Sequence, residues 1–131
     1  MTALVGARIF AGNIWHEEHA LVVSNGKIEA LVSVNTLPDN VSVQMLDGGM
    51  LLPGFIDTQV NGGGGVLFND QPTVEGITAI AGAHRKFGTT AMLPTLISDD
   101  FDVIAKAIAA VDDAIEAGVP GIIGIHIEGP F

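Results

Sequence analysis

The 131-residue chain reads as an α/β protein: a small all-β unit over residues 1–52, then a β-α-β-α-β run over residues 53–131. Two observations predict this. Through about residue 52 the apolar residues fall in short alternating segments separated by turn residues, with no helical stripe. Past Gly48-Gly49 the pattern changes to continuous apolar runs of strand length, alternating with two stretches whose apolar residues recur at helical spacing. That order builds a parallel sheet.

Each element follows from its residues. "ARIFAG" and "VSVQML" alternate well enough to be strands. In "ALVVSNGKIEALVS" two apolar segments flank Asn25-Gly26, a dipeptide that tolerates positive φ at both positions of a tight hairpin turn. "GMLLPGFIDTQV" is a continuous apolar stretch, expected as a strand buried on both faces. From Thr73 to Phe87, Val74, Ile77, Ala81 and His84 share one helical face, with Gly88 closing the helix. "TTAMLPTLI" is a second buried strand. Phe101, Ile104, Ile108, Val111 and Ile115 form the stripe of a second helix. Asp99 and Asp100 favour its start through the helix dipole, and Gly118 with Pro120 ends it. "GIIGIHIEGPF" is the third buried strand. Three strands do not close a barrel, and another helix is expected after Phe131, so the sequence reads as the N-terminal part of something larger.

Composition narrows the function classes. The chain is 48% apolar, enough to bury a core and to exclude disorder. Only 15% of residues are charged, against about 25% in ordinary domains, which points to surface normally covered by something else. Net charge is −10 and the five cations Arg8, Lys27, Arg85, Lys86 and Lys106 form no basic cluster, so nucleic acid and membrane are poor partners. Without cysteine there is no disulfide framework or thiol nucleophile, and a reducing cytoplasm is compatible. The N-terminus lacks a signal-peptide pattern, and no apolar run approaches the roughly 20 residues of a membrane helix.

The groups able to do chemistry sit at predicted strand ends. In "GIHIEGP", His126 and Glu128 share a face at the C-terminal end of the third strand, where parallel α/β folds carry their sites, and Gly129-Pro130 breaks the strand. Imidazole and carboxylate are ordinary ligands for zinc-like ions, but two ligands are not a site. A core histidine bonded to a loop-capping carboxylate fits the same spacing. The first strand ends in Gln59 and Asn61, neutral amides at i and i+2 that could orient a substrate or a water, or only satisfy backbone around the following "GGGG". That glycine run could cradle an anion, though it matches no phosphate-binding fingerprint. His84 reads as a packed helix residue. His16 and His19 read as solvated residues in a loop of the β unit. Asp57, inside the first strand, should have a partner. Ser98, Asp99 and Asp100 read as helix-start chemistry.

Taken together, "LLPGFIDTQVNG", "GTTAMLPTLIS" and "GIHIEGPF" resemble the opening of the amidohydrolase superfamily, and more narrowly its N-acetylglucosamine-6-phosphate deacetylase branch. The resemblance runs over essentially the whole chain. It implies a distorted (β/α)8 TIM-like barrel of about 250 residues, preceded by a small β-sandwich portion built from both chain ends. It implies hydrolysis of the acetamide of N-acetylglucosamine 6-phosphate, one zinc-like divalent ion, and a homodimer. Most of that superfamily ends its first strand in His-x-His; here Gln59 and Asn61 occupy those positions, which implies a one-metal site. By position Glu128 matches the carboxylate metal ligand, while Gln59, Asn61 and His126 line the site. The remaining histidine ligands, the catalytic aspartate and the phosphate-binding cations are expected beyond Phe131, so this segment alone is expected to be inactive. Another amidohydrolase or deaminase, or a non-catalytic α/β interaction module, are the competing readings.

Overall fold

A computed structural model of the chain describes residues 1–129. The chain divides into two compact units, Met1–Pro53 and Gly54–Phe131.

The first unit is all β apart from one short 3-10 turn at Val34–Thr36. Its strands are β1 (Thr2–Val5), β2 (Arg8–Ala11), β3 (Ile14–His16), β4 (His19–Ser24), β5 (Lys27–Ser33), β6 (Ser42–Met45) and β7 (Met50–Leu51). They form a four-stranded sheet in the order β5-β4-β1-β6 and a three-stranded sheet in the order β3-β2-β7. Alternation does the folding: Ala3 and Val5 of β1 and Ala20 and Val22 of β4 point to one side and form a small core. The β4–β5 hairpin turns on Asn25 (φ 50°) and Gly26 (φ 74°), the left-handed pair its dipeptide predicts. His16 and His19 are not loop residues as expected; they close β3 and open β4. Their rings stand edge to face at 5.1 Å. One nitrogen of each is turned to a backbone carbonyl, Ala11 O at 3.3 Å and Glu17 O at 2.6 Å.

The second unit runs β8 (Phe55–Val60), a glycine hairpin of β9 (Gly62–Gly63) and β10 (Val66–Leu67), α1 (Val74–Arg85), β11 (Thr89–Leu96), α2 (Phe101–Glu116) and β12 (His126–Ile127). Two crossovers place three parallel strands in the order β12-β11-β8, with β11 central. The helices close over one core that includes Phe68, Ile77, Ile80, Met92, Leu96 and Val111.

Thr73 caps α1, its hydroxyl accepting from Gly76 N at 3.1 Å. Replacing a helical glycine by alanine ordinarily stabilises by about 1 kcal/mol. At Gly76 the added Cβ would collide with Gln71 O, a backbone atom. Gly76→Ala is therefore expected to destabilise by roughly 1–3 kcal/mol, read from urea unfolding; a stabilised variant would contradict this packing. Helix α2 ends as its sequence predicts, with Gly118 (φ 70°) donating to Ile115 O at 3.0 Å and Val119 N to Ala114 O at 2.9 Å.

Three further sequence expectations are corrected. The stretch "GMLLPGFIDTQV" is not one buried strand. It divides at Pro53-Gly54: Met50–Leu51 pairs with β2, and Phe55–Val60 pairs with β11. Phe55 and Ile56 are 65% and 67% exposed because β8 is the outer strand of its sheet. On α2 the stripe is displaced around the helix. Ala107, Ala110, Val111 and Ala114 are buried, whereas Phe101, Ile108 and Ile115 face outward. Alanines let the helix lie close to β11 and α1, and the larger residues are left on the other side. The third strand is short and half-buried: Ile122 bridges Met92, pairing then lapses, and it resumes only at Thr95↔His126. Gly129 follows as the last described residue, and the Pro130 and Phe131 end of that motif lies outside the described residues.

Candidate active site

Parallel pairing brings the C-terminal ends of β8, β11 and β12 to one edge of the sheet. Pro94 is opposite Val60, Leu96 is opposite Ile127, and Glu128 N continues the ladder by donating to Leu96 O at 3.0 Å. A proline within a central strand withdraws a ladder donor and belongs at a bulge. The β8–β11 register duly shifts between Met92 and Pro94. Thr95, fully buried, repairs the ladder with its side chain: Oγ1 accepts from Val60 N at 2.9 Å and donates to Leu93 O at 3.1 Å.

Thr95→Val keeps the volume but leaves Val60 N–H buried without an acceptor. A loss of about 1–3 kcal/mol is expected, measured by chemical denaturation, and Thr95→Ser should recover most of it. Equal losses in the two variants would show that packing, not the hydroxyl, matters.

Gln59 and Glu128 are 69 residues apart, yet Gln59 Nε2 donates to Glu128 Oε1 at 2.8 Å. His126 lies two residues before Glu128, and its Nδ1 is 3.1 Å from Thr58 O. A carbonyl only accepts, so Nδ1 is the donor in this bond. Thr95 Oγ1 is also near Nδ1, at 3.5 Å, too far to compete. Asn61 stands one residue past β8, its carbonyl accepting from Phe68 N at 2.8 Å. The ends of β8 and β12 thus gather an amide, a carboxylate and an imidazole. Among the described residues no three His, Cys, Asp or Glu side chains cluster as a metal site.

Other expectations resolve structurally. Asp57 has its partner in the backbone: Oδ1 accepts from Gln59 N at 3.1 Å. The glycine run serves close packing. A Cβ on Gly63 would meet the His84 ring at 2.9 Å, and Gly64 (φ 64°) approaches Ala79 O of α1. His84 itself donates from Nε2 to Gly62 O at 2.9 Å, holding the hairpin to α1. At the start of α2, Asp100 is the N-cap residue but makes no capping bond with its side chain. Asp99 acts instead, accepting from Asp100 N at 2.8 Å and from Asn69 Nδ2 at 2.8 Å.

Sequence reasoning missed Thr95 and Asn69. Proline in a predicted buried strand was the available signal for the first. Asn69 clasps the residue after β11, donating to Ile97 O at 3.0 Å while its Oδ1 accepts from Ile97 N at 3.0 Å. Its hydrogen bond to Asp99, with that from Asp100 N, holds the Asp99 carboxyl below its ordinary value. A depressed folded value means the contribution is present above the unfolded pKa and fades as pH falls through the folded one. Asn69→Ala is expected to return the Asp99 midpoint toward the ordinary range, followed by carboxyl NMR; an unmoved midpoint would assign the shift elsewhere.

The chain is similar in sequence and fold to known proteins. Residues 1–51 match the family model described as the NagA composite domain. The chain is 48% identical over 128 residues to the N-acetylgalactosamine-6-phosphate deacetylase of Shewanella sp. (strain ANA-3), spanning 95% of this chain and 32% of that protein. It is 33% identical over 129 residues to the N-acetylglucosamine-6-phosphate deacetylase of Haemophilus influenzae, spanning 98% and 34%. Among solved structures, the N-acetylglucosamine-6-phosphate deacetylase of Pasteurella multocida superposes with a TM-score of 0.93 at 34% identity, over 99% of this chain and 34% of that one. The chain therefore spans about a third of the length of the relatives it matches. Among the described residues no helix is long and apolar enough to cross a membrane.

Proposed function

The chain belongs to the N-acetylglucosamine-6-phosphate deacetylase family, as its N-terminal segment, and on that premise we propose that the complete protein hydrolyses the acetamide of an N-acetylhexosamine 6-phosphate. N-acetylglucosamine 6-phosphate and water would give glucosamine 6-phosphate and acetate. The observation that carries the reading is the meeting of Gln59 and Glu128 across the strand ends, in a chain whose relatives bear that activity in their names. The first unit would be part of a small sandwich, the second the first part of a (β/α)8 barrel, and the whole a homodimer in the cytoplasm.

One divalent, zinc-like ion fits the donor chemistry at the strand ends. Glu128 offers a carboxylate with no cation against it; among the described residues the one ion pair is Arg8–Glu17. Glu128 would hold the ion, with further ligands expected beyond Phe131. When bound, the ion supplies Lewis acidity for cleavage of an amide. The chain's own residues set the stage. Gln59 and Asn61, unable to act as a histidine pair, would line the site with neutral donors and acceptors. His126, held by its Nδ1 bond to Thr58 O, would line the same region. The catalytic aspartate and the cations that take the sugar phosphate would come from later strands.

Acetate release by the complete protein, followed with N-acetylglucosamine 6-phosphate and N-acetylgalactosamine 6-phosphate in parallel, tests the reading. The 48% identity to the galactosamine enzyme favours the second sugar as a real competitor. Hydrolysis of neither would leave a non-catalytic interaction module as the better account.

A further inference from the structure

Strands β8 and β12 are not paired with each other; β11 lies between them. Across β11 their ends are linked by His126 Nδ1 on Thr58 O at 3.1 Å and, side chain to side chain, by Gln59 and Glu128, both anchored at their own backbones. Gln59 N is held by Asp57 Oδ1 at 3.1 Å, and Glu128 N by Leu96 O at 3.0 Å. The 2.8 Å bond from Gln59 Nε2 to Glu128 Oε1 therefore runs between two fixed points. A bond of that kind removes rotational freedom from the carboxylate rather than merely following it.

We propose that Gln59 is a positioning residue for Glu128: its amide holds Oε1 and reserves Oε2 as the single, pre-oriented oxygen for a divalent cation. This deepens the function proposed above and rests on it. The choice of an amide follows from electrostatics. An arginine or lysine at this place would orient the carboxylate but neutralise the charge that a cation needs. A second carboxylate would repel Glu128 in the metal-free state. An amide orients through hydrogen bonding and leaves the full negative charge in place. Partners of ligating carboxylates typically control metal affinity 10- to 100-fold.

The test uses the complete protein and measures zinc affinity by competition with a chromophoric chelator. Gln59→Leu, which keeps length and removes the donor, is expected to weaken zinc binding about 10- to 100-fold. Its metal-free melting temperature should match the parent's. Gln59→Asn, one methylene too short to reach, serves the same purpose if the leucine variant does not fold. Glu128→Gln is measured alongside and should abolish tight binding. Should Glu128→Gln lose zinc while both Gln59 variants bind as tightly as the parent, the positioning role is overturned and the ligand role of Glu128 survives. A fall in affinity matched by a fall in metal-free melting temperature also overturns it, in favour of a structural bond. Zinc retained by Glu128→Gln removes the ligand assignment and the positioning role with it.

Discussion

Replacing Glu128 by glutamine in the complete protein is expected to cut amide hydrolysis by at least about 10²–10³-fold, the loss that follows removal of one preorganised electrostatic group. The substitution separates charge from shape. Glutamine has almost the same volume and length, and the Gln59 amide can turn its oxygen toward the new NH2. The bridge across the strand ends can thus persist, and the ladder bond from residue 128 N to Leu96 O involves only backbone. What disappears is the negative charge, and a neutral amide is a poor ligand for a borderline divalent ion. Acetate release and bound metal, by elemental analysis, should fall together while the metal-free unfolding midpoint stays in place. Parent-level turnover by a metal-free Glu128→Gln protein would sink the metal-dependent reading.

The largest stability effect is expected at Phe68. It is completely buried among Val60, Ile77, Ile80 and Leu96 of the second core, although it stands just after β10 in a segment joining a hairpin to a helix. Phe68→Ala should cost about 3–5 kcal/mol, the transfer term plus the cavity left where rigid strands cannot close in. Phe68→Leu, which refills most of the space, should cost much less. Urea unfolding of the second core, followed by a probe in α1, measures both. Phe68 N also donates to Asn61 O, so the alanine variant should loosen the strand end that carries the amides. A cost under about 1 kcal/mol would mean that the segment can collapse into the space, and that Phe68 is not the plug it looks to be.

Much of the architecture was legible because the signals were local. Asn25-Gly26 carries its turn geometry in two residues, Gly118 its helix stop in one, and "TTAMLPTL" its strand in a run of apolar and β-branched side chains. The departures have a common origin in neighbours. Periodicity counts large apolar residues, so Phe101, Ile108 and Ile115 drew the α2 stripe toward themselves. The sheet instead selected the alanines, because small side chains permit the closest approach. Likewise an apolar run cannot say whether it will be central or outer in a sheet, and β8 is outer. At the strand ends, residue types pointed to Gln59 and Glu128, but their direct bond depends on β11 holding β8 and β12 at one spacing. Thr95 gave little warning, since its importance arises from the proline before it and from the backbone of another strand.

The clasp of Asn69 on Ile97 has a consequence for solvent exchange. The Ile97 amide lies past the end of β11, where no strand partner protects it, yet its hydrogen is taken by a side-chain oxygen from a distant loop. Its exchange with deuterium should thus be slowed by a residue 28 positions earlier, not by the sheet beside it. Opening of the loop around residue 69 becomes visible at one amide, independently of any fraying of the strands. That single proton reports when the segment leading into α2 is free to move and when it is held.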